Sequence, residues 1–262
     1  MPMLEVNGLA VEYTRTGAGP DLLLLHSLLT DLTVFEQVLP ALAAERRVTC
    51  INLPGYGASG PAEFASLADY ADHVACVMDA LQLAPSTDVF GNGFGAFVAL
   101  ELALRHGARF GRLLVADTGA AFPEAARLPF RGMASMVRAD GMQAVLDTAI
   151  GRMFPAGFQT AYPAVVAERK AKLAPANAEC FARACLALAA LDLRAQLGGI
   201  RNPTLVMCGA LDQTTPPAMA QEVARGIAGA AYIEIPGSGH CPMLEQPAAL
   251  VAAIAASLGS RV

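Results

Sequence analysis

The chain has 262 residues and a formal charge of −5, with 55% hydrophobic and only 16% charged residues. That balance supplies a large buried core and excludes both a disordered chain and a basic face for nucleic acid. No run approaches the roughly 18–20 apolar residues that span a bilayer, and Met1–Glu5 lacks the basic start of a secretory signal, so a cytoplasmic protein away from membranes is expected.

In chain order, Leu22–Leu25 reads as a fully buried strand, bounded by Gly19-Pro20 and His26. Val48–Leu53 follows and stops at Pro54-Gly55. Asp88–Phe90 feeds a glycine turn, Phe94–Arg105 is a helix with small residues for a sheet, and Arg112–Ala116 is the next strand. The strand signal then vanishes from Thr118 to about Leu197. There Arg131–Ala139, Met142–Met153, Tyr162–Leu173 and Glu179–Leu191 have helical periodicity, broken by Pro123, Pro129, Pro155 and Pro175. Thr204–Cys208 and Tyr232–Ile235 are the last strands, each leading into a helix. Alternating strands and helices predict a parallel sheet, and a helical insertion after a strand predicts a cap over its carboxyl edge, where ligands bind. Cys50, Cys76, Cys180, Cys185, Cys208 and Cys241 lie mostly in apolar segments without a CxxC pair, which predicts free thiols.

The chemistry-bearing residues fall on loops after strands: His26-Ser27-Leu28-Leu29, Asn52 to Ser59, Asp212 in Gly209–Pro216, and His240 in Gly237–Pro242. Between them, Gly91-Asn92-Gly93-Phe94-Gly95 joins a strand to a helix. The middle residue of this turn is ordinarily the nucleophile on a strained elbow. Here it is Gly93, which has no side chain. Glycine relieves about 1–3 kcal/mol of backbone strain at such a position and leaves room for one water beside His240. Asp212 can equally cap the helix that starts near Pro216. His73 and His106 read as surface or helix-end groups.

These pieces in this order resemble the α/β-hydrolase fold. The resemblance implies a mostly parallel eight-stranded sheet with flanking helices, a core over 1–120 and 198–262, and a helical cap over 121–197. His26–Asp31, Asn52–Ser59, Ala116–Ala121, Asp192–Arg194 and Thr214–Pro217 are similar to 3-oxoadipate enol-lactonases, which hydrolyse a small dicarboxylic enol-lactone. By that resemblance Asp212 is the triad acid, His240 the base, and the N–H groups of Leu28 and Phe94 the oxyanion hole, with Gly93 in the nucleophile's place. A small ester or lactone, with or without a carboxylate, is the implied partner, and neither metal nor organic cofactor is implied. His26 and Ser27 are candidates for substrate contact, His26 more as a structural hydrogen-bonding group. Arg131 and Arg152, with Arg127, offer bidentate carboxylate binding from the cap, and Phe130 and Phe154 offer apolar walls. A homo-oligomer is as compatible with the cap as a monomer.

Three readings stay open at this point. The His240–Asp212 pair acts as a general base without a nucleophile, in hydrolysis or in an isomerase or lyase reaction. Alternatively the pocket only binds its ligand, or the chain is an inactivated Ser-to-Gly form of an ordinary serine hydrolase.

Overall fold

The computed structural model describes residues 1–259. Its strands are β1 (Met3–Val6), β2 (Leu9–Thr16), β3 (Asp21–Leu25), β4 (Arg47–Ile51), β5 (Asp88–Asn92), β6 (Leu113–Ala116), β7 (Thr204–Gly209) and β8 (Ala231–Ile235). They form one eight-stranded sheet in the order β1-β2-β4-β3-β5-β6-β7-β8. β2 pairs antiparallel with β1 and β4, and every other pairing is parallel. All residues of β3, β5, β6 and β7 are buried, because parallel strands covered by helices on both faces must be apolar throughout.

The first two strands are absent from the apolar-run reading because polar residues interrupt them. Their signal lies in the turn: Asn7 and Gly8 both adopt positive φ, 51° and 79°, which is what a two-residue hairpin requires.

Helices α1 (Leu39–Ala43), α2 (Leu67–Ala80) and α3 (Phe94–His106) precede β6. A capping box starts α2: Ser66 Oγ accepts from the Asp69 N–H while the Asp69 carboxylate accepts from the Ser66 N–H. His73, expected at the surface, is buried on the inner face of α2, and burial lowers it to about 4. Between β6 and β7 lie α4 (Glu124–Asp140), α5 (Gln143–Met153), α6 (Ala156–Ala161), α7 (Pro163–Leu173) and α8 (Ala178–Ala190). The chain leaves and returns at an antiparallel bridge of Ala121 with Asp192, beside a 2.8 Å bond from the Leu193 N–H to the Ala120 carbonyl. Pro129 does not break a helix here. It sits inside α4, which tolerates the missing N–H because α4 packs along α8 and buries Ala134 and Val137. After β7 come α9 (Pro217–Gly226), α10 (Pro242–Glu245) and α11 (Pro247–Gly259).

The sheet brings the ends of β3 and β5 side by side, and a glycine lets α3 start against them. The Gly95 N–H bonds the His26 carbonyl at 3.0 Å, and a Cβ on Gly95 would fall 2.7 Å from that same oxygen. Gly95→Ala is therefore expected to destabilise the fold by about 1–3 kcal/mol in urea unfolding; an unchanged midpoint would show that this approach is not tight.

Candidate active site

Four loops at the carboxyl ends of β3, β5, β7 and β8 converge. Asp212, after β7, is held by its own turn: Oδ1 accepts from the N–H groups of Thr214 (2.7 Å) and Thr215 (3.2 Å), and Oδ2 from Thr215 Oγ1 (2.7 Å). Oδ2 also accepts from His240 Nδ1 at 2.8 Å. Burial would lift the Asp212 carboxyl, but the charge of His240 and these donors hold it below its usual value. Burial likewise depresses His240, yet the carboxylate beside it wins and raises the imidazole to about 9. The loop carrying His240 is fixed by Glu245, which accepts from the N–H groups of Gly239 (2.6 Å) and Cys241 (2.9 Å).

Asp117, after β6, is a member of this cluster that the sequence reading did not single out. Its φ of 55° turns the side chain beneath His240, an αL position that Asp tolerates better than most residues. It accepts from Asn92 Nδ2 (2.8 Å) and the Gly209 N–H (2.8 Å), and Asn92 Nδ2 also donates to the His240 carbonyl (3.2 Å). Burial and the neighbouring Asp212 push the Asp117 carboxyl well above its usual range. Ligand atoms of Asp117, Asp212 and His240 lie within 4.8 Å of one another. His240 Nδ1 and Asp212 Oδ2 are engaged with each other, and the Asp117 carboxylate accepts from Asn92 and Gly209.

Two peptide groups point N–H groups into the space facing His240. The Ser27 carbonyl accepts from His26 Nδ1 (2.8 Å) and the Thr30 N–H (3.2 Å), so across a trans peptide the Leu28 N–H points the opposite way. The Gly93 carbonyl accepts from the N–H groups of Ala96 (2.9 Å) and Phe97 (3.1 Å) as α3 begins, which turns the Phe94 N–H outward at the positive end of the helix. Neither N–H has a hydrogen-bond partner among the described residues. His26 thus orients the first donor from outside the cavity. It is fully buried, receives the Leu53 N–H on Nε2 (3.0 Å), and burial lowers it to about 4, so it is a neutral hydrogen-bonding group outside the cavity lining.

Gly93 has φ 53° and ψ −118°, a conformation that strains any other residue. The expected water-sized gap beside it is already filled. Ser27 Oγ occupies the space a Cβ on Gly93 would take, and it stands 3.5 Å from His240 Nε2. The reason is topological: β3 and β5 are adjacent, so the side chain that follows β3 can lean into the seat beside β5.

Ser27, Gly93 and His240 form the floor of a cavity of about 620 Å³, and Phe122, Phe130, Met133 and Leu188 line its apolar walls. Arg152 reaches its lining and has no ion-pair partner among the described residues. Arg131 does not: it is solvent-exposed and donates to Glu124 at 2.7 Å on its own helix. Arg127 donates to the Phe122 carbonyl at 2.8 Å and serves the cap. Phe154 is buried against Phe158 in a ring stack 5.0 Å apart and lies outside the main cavity. All six cysteines are free, five of them buried, and burial pushes the Cys241 thiol well above its usual value. No helix among the described residues is long and apolar enough to cross a membrane.

A mostly parallel sheet with an elbow after β5, an acid after β7 and a histidine after β8 defines a hydrolase scaffold, and residues 20–247 match the family described as the alpha/beta hydrolase fold, to which the chain belongs. It is 31% identical to 3-oxoadipate enol-lactonase 2 of Acinetobacter baylyi over 259 residues, covering 97% of this chain and 94% of that one. It is 26% identical to a pimeloyl-[acyl-carrier protein] methyl ester esterase of Vibrio vulnificus over 90% of this chain and 93% of the other. Among solved structures, the enol-lactonase from Burkholderia xenovorans LB400 superposes with a TM-score of 0.92 at 29% identity, covering 99% and 100% of the two chains. A thermophilic esterase from Thermogutta terrifontis with malate bound also gives 0.92, at 27% identity over 99% and 98%.

The opposed effects on His240 give a direct check. In Asp212→Asn the main attraction is removed, burial remains, and only the weaker pulls of Asp117 and Glu245 oppose it, so the imidazole should fall well below 9. Titration of the four histidine rings by NMR reads this shift; a His240 that stays near 9 would refute the account.

Proposed function

We propose that this protein hydrolyses a small carboxylic ester or lactone that bears a second carboxylate. His240, backed by Asp212, takes the proton from the attacking hydroxyl, and the Leu28 and Phe94 N–H groups receive the charge that develops on the carbonyl oxygen. The observation that carries this reading is the 2.8 Å His240–Asp212 bond with Nε2 turned to the seat above Gly93, near two N–H groups that have no partner among the described residues. The enol-lactonase and esterase relatives support the substrate class. A lone arginine lining an apolar cavity supports a carboxylate on the substrate, since a guanidinium meets a carboxylate bidentately. The malate held by the Thermogutta esterase is a dicarboxylate of that kind.

Assay of the chain with enol-lactones and activated esters tests the reading. His240→Ala is expected to lower kcat by about 10²–10⁴-fold or more, and unaltered turnover in that variant would overturn the proposal. Because only neutral imidazole accepts a proton and its pKa is raised to about 9, kcat/KM should climb across neutral pH and level off above about 9. Arg152→Met should raise KM about 10-fold or more for carboxylate-bearing substrates, the worth of one charge-assisted hydrogen bond, and leave neutral esters unaffected. Equal losses on both substrates would remove Arg152 from recognition.

A further inference from the structure

We propose that the nucleophile of this enzyme has moved from the elbow to the neighbouring loop and is the hydroxyl of Ser27. The inference rests on the hydrolase reading of the same site and goes beyond it by naming the attacking atom.

The hydroxyl stands where an elbow side chain would stand. A Cβ on Gly93 would collide with Ser27 Oγ, and it would also lie 2.9 Å from both Ser27 Cβ and His240 Nε2. Only a glycine at 93 lets the hydroxyl in. Ser27 is 1% exposed, yet it lines the cavity, and the imidazole at 3.5 Å is the sole partner of its Oγ among the described residues. That separation is long for a hydrogen bond, but contacts between nucleophile and base commonly tighten when substrate fills the site. Its backbone is fixed, with the N–H donating to Thr30 Oγ1 (3.1 Å) and the carbonyl accepting from His26 and Thr30.

The oxyanion hole survives the move because its two arms exchange roles. With a nucleophile at 93, one donor is the N–H of the following residue, Phe94, and the other is Leu28 from across the site. With the nucleophile at 27, the N–H of the following residue is Leu28, and Phe94 is the donor from across. The same two N–H groups serve both arrangements.

The chemistry balances without a co-reactant other than water. Ser27 Oγ bonds to the carbonyl carbon as its proton passes to His240 Nε2, and the carbonyl electron pair moves onto oxygen. Collapse of that oxyanion breaks the bond to the leaving oxygen, which takes the proton from Nε2. Water then attacks the acyl-Ser27 ester, again giving a proton to Nε2, and Ser27 leaves with that proton as the acid is released.

The full-length chain is treated with a small fluorophosphonate and mapped by peptide mass spectrometry, in parallel with Ser27→Ala and His240→Ala. A phosphonylated Ser27 peptide in the parent, lost in both variants, is expected. Ser27→Ala should lower kcat by at least about 10³-fold, as loss of a nucleophile does, with KM little changed and the melting temperature retained. Ser27→Cys guards against a merely structural effect: its thiol should be alkylated by iodoacetamide ahead of the native cysteines, and lose that reactivity in a His240→Ala background. If Ser27→Ala turns over substrate like the parent while His240→Ala does not, water attacks the carbonyl directly and the proposal falls with the hydrolase reading intact. Adduct formation at Ser27 without turnover of any ester or lactone supports the nucleophile and removes the proposed substrate class. Absence of both adduct and turnover overturns the two together.

Discussion

Two opposed forces meet on one imidazole. Burial drives His240 toward its neutral form, and a carboxylate 2.8 Å from Nδ1 drives it toward the charged one. The carboxylate prevails because Asp212 is itself kept ionised, first by the charge and hydrogen bond of His240 and then by the Thr215 and Thr214 donors around it. The ring is thereby oriented, with Nδ1 committed to Asp212 and Nε2 left for the cavity. Without that commitment neither ring nitrogen would have a defined task, and the N–H pair opposite would face an arbitrary group. Asp117 adds a second carboxyl near the ring, one that burial and Asp212 push toward the neutral form, so it adds little negative charge to a crowded site.

The second constraint is the closeness of the elbow to the end of β3. Gly91 and Gly95 are required there by packing, since a Cβ on either would strike backbone atoms. Gly93 differs in kind. The atoms nearest its missing Cβ are side-chain atoms of Ser27 and His240, groups with chemistry of their own. Glycine at this position is thus coupled to what its neighbours do, and a seryl side chain could return there only if Ser27 Oγ rotated away.

The parallel core was legible in the sequence because burial on both faces leaves an unbroken apolar signature, as in Leu22–Leu25 and Thr204–Cys208. The β1–β2 hairpin was not, since half-exposed strands alternate with polar residues and only the Asn7-Gly8 turn marks them. Asp212 and His240 could be picked out by their places after successive strands. The roles of the arginines could not, because a cap cation that meets substrate differs from one that meets Glu124 only in the direction it points, and sequence carries no such direction. His26 and Ser27 are adjacent residues with opposite fates for the same reason: one turns into the protein toward the Leu53 N–H, the other into the seat beside Gly93.

The helices between β6 and β7 help to hold the candidate site as well as lining its cavity. The His240 N–H donates to the Met153 carbonyl at the end of α5 (3.0 Å), and Gly239 leaves no room for a Cβ beneath Pro155. On the opposite side, the buried Arg169 of α7 donates to Thr33 Oγ1 (3.0 Å), whose own hydroxyl and N–H donate to Asp31 just after the loop that carries Ser27 and Leu28. These helices therefore touch the His240 loop through one contact and the segment after Ser27 and Leu28 through the other. A rigid swing of these helices would break both, along with the 3.9 Å approach of the buried Arg169 guanidinium to the Asp31 carboxylate. The cavity walls are looser than these anchors: Met133 and Met136 line it with unbranched side chains that reorient at little cost.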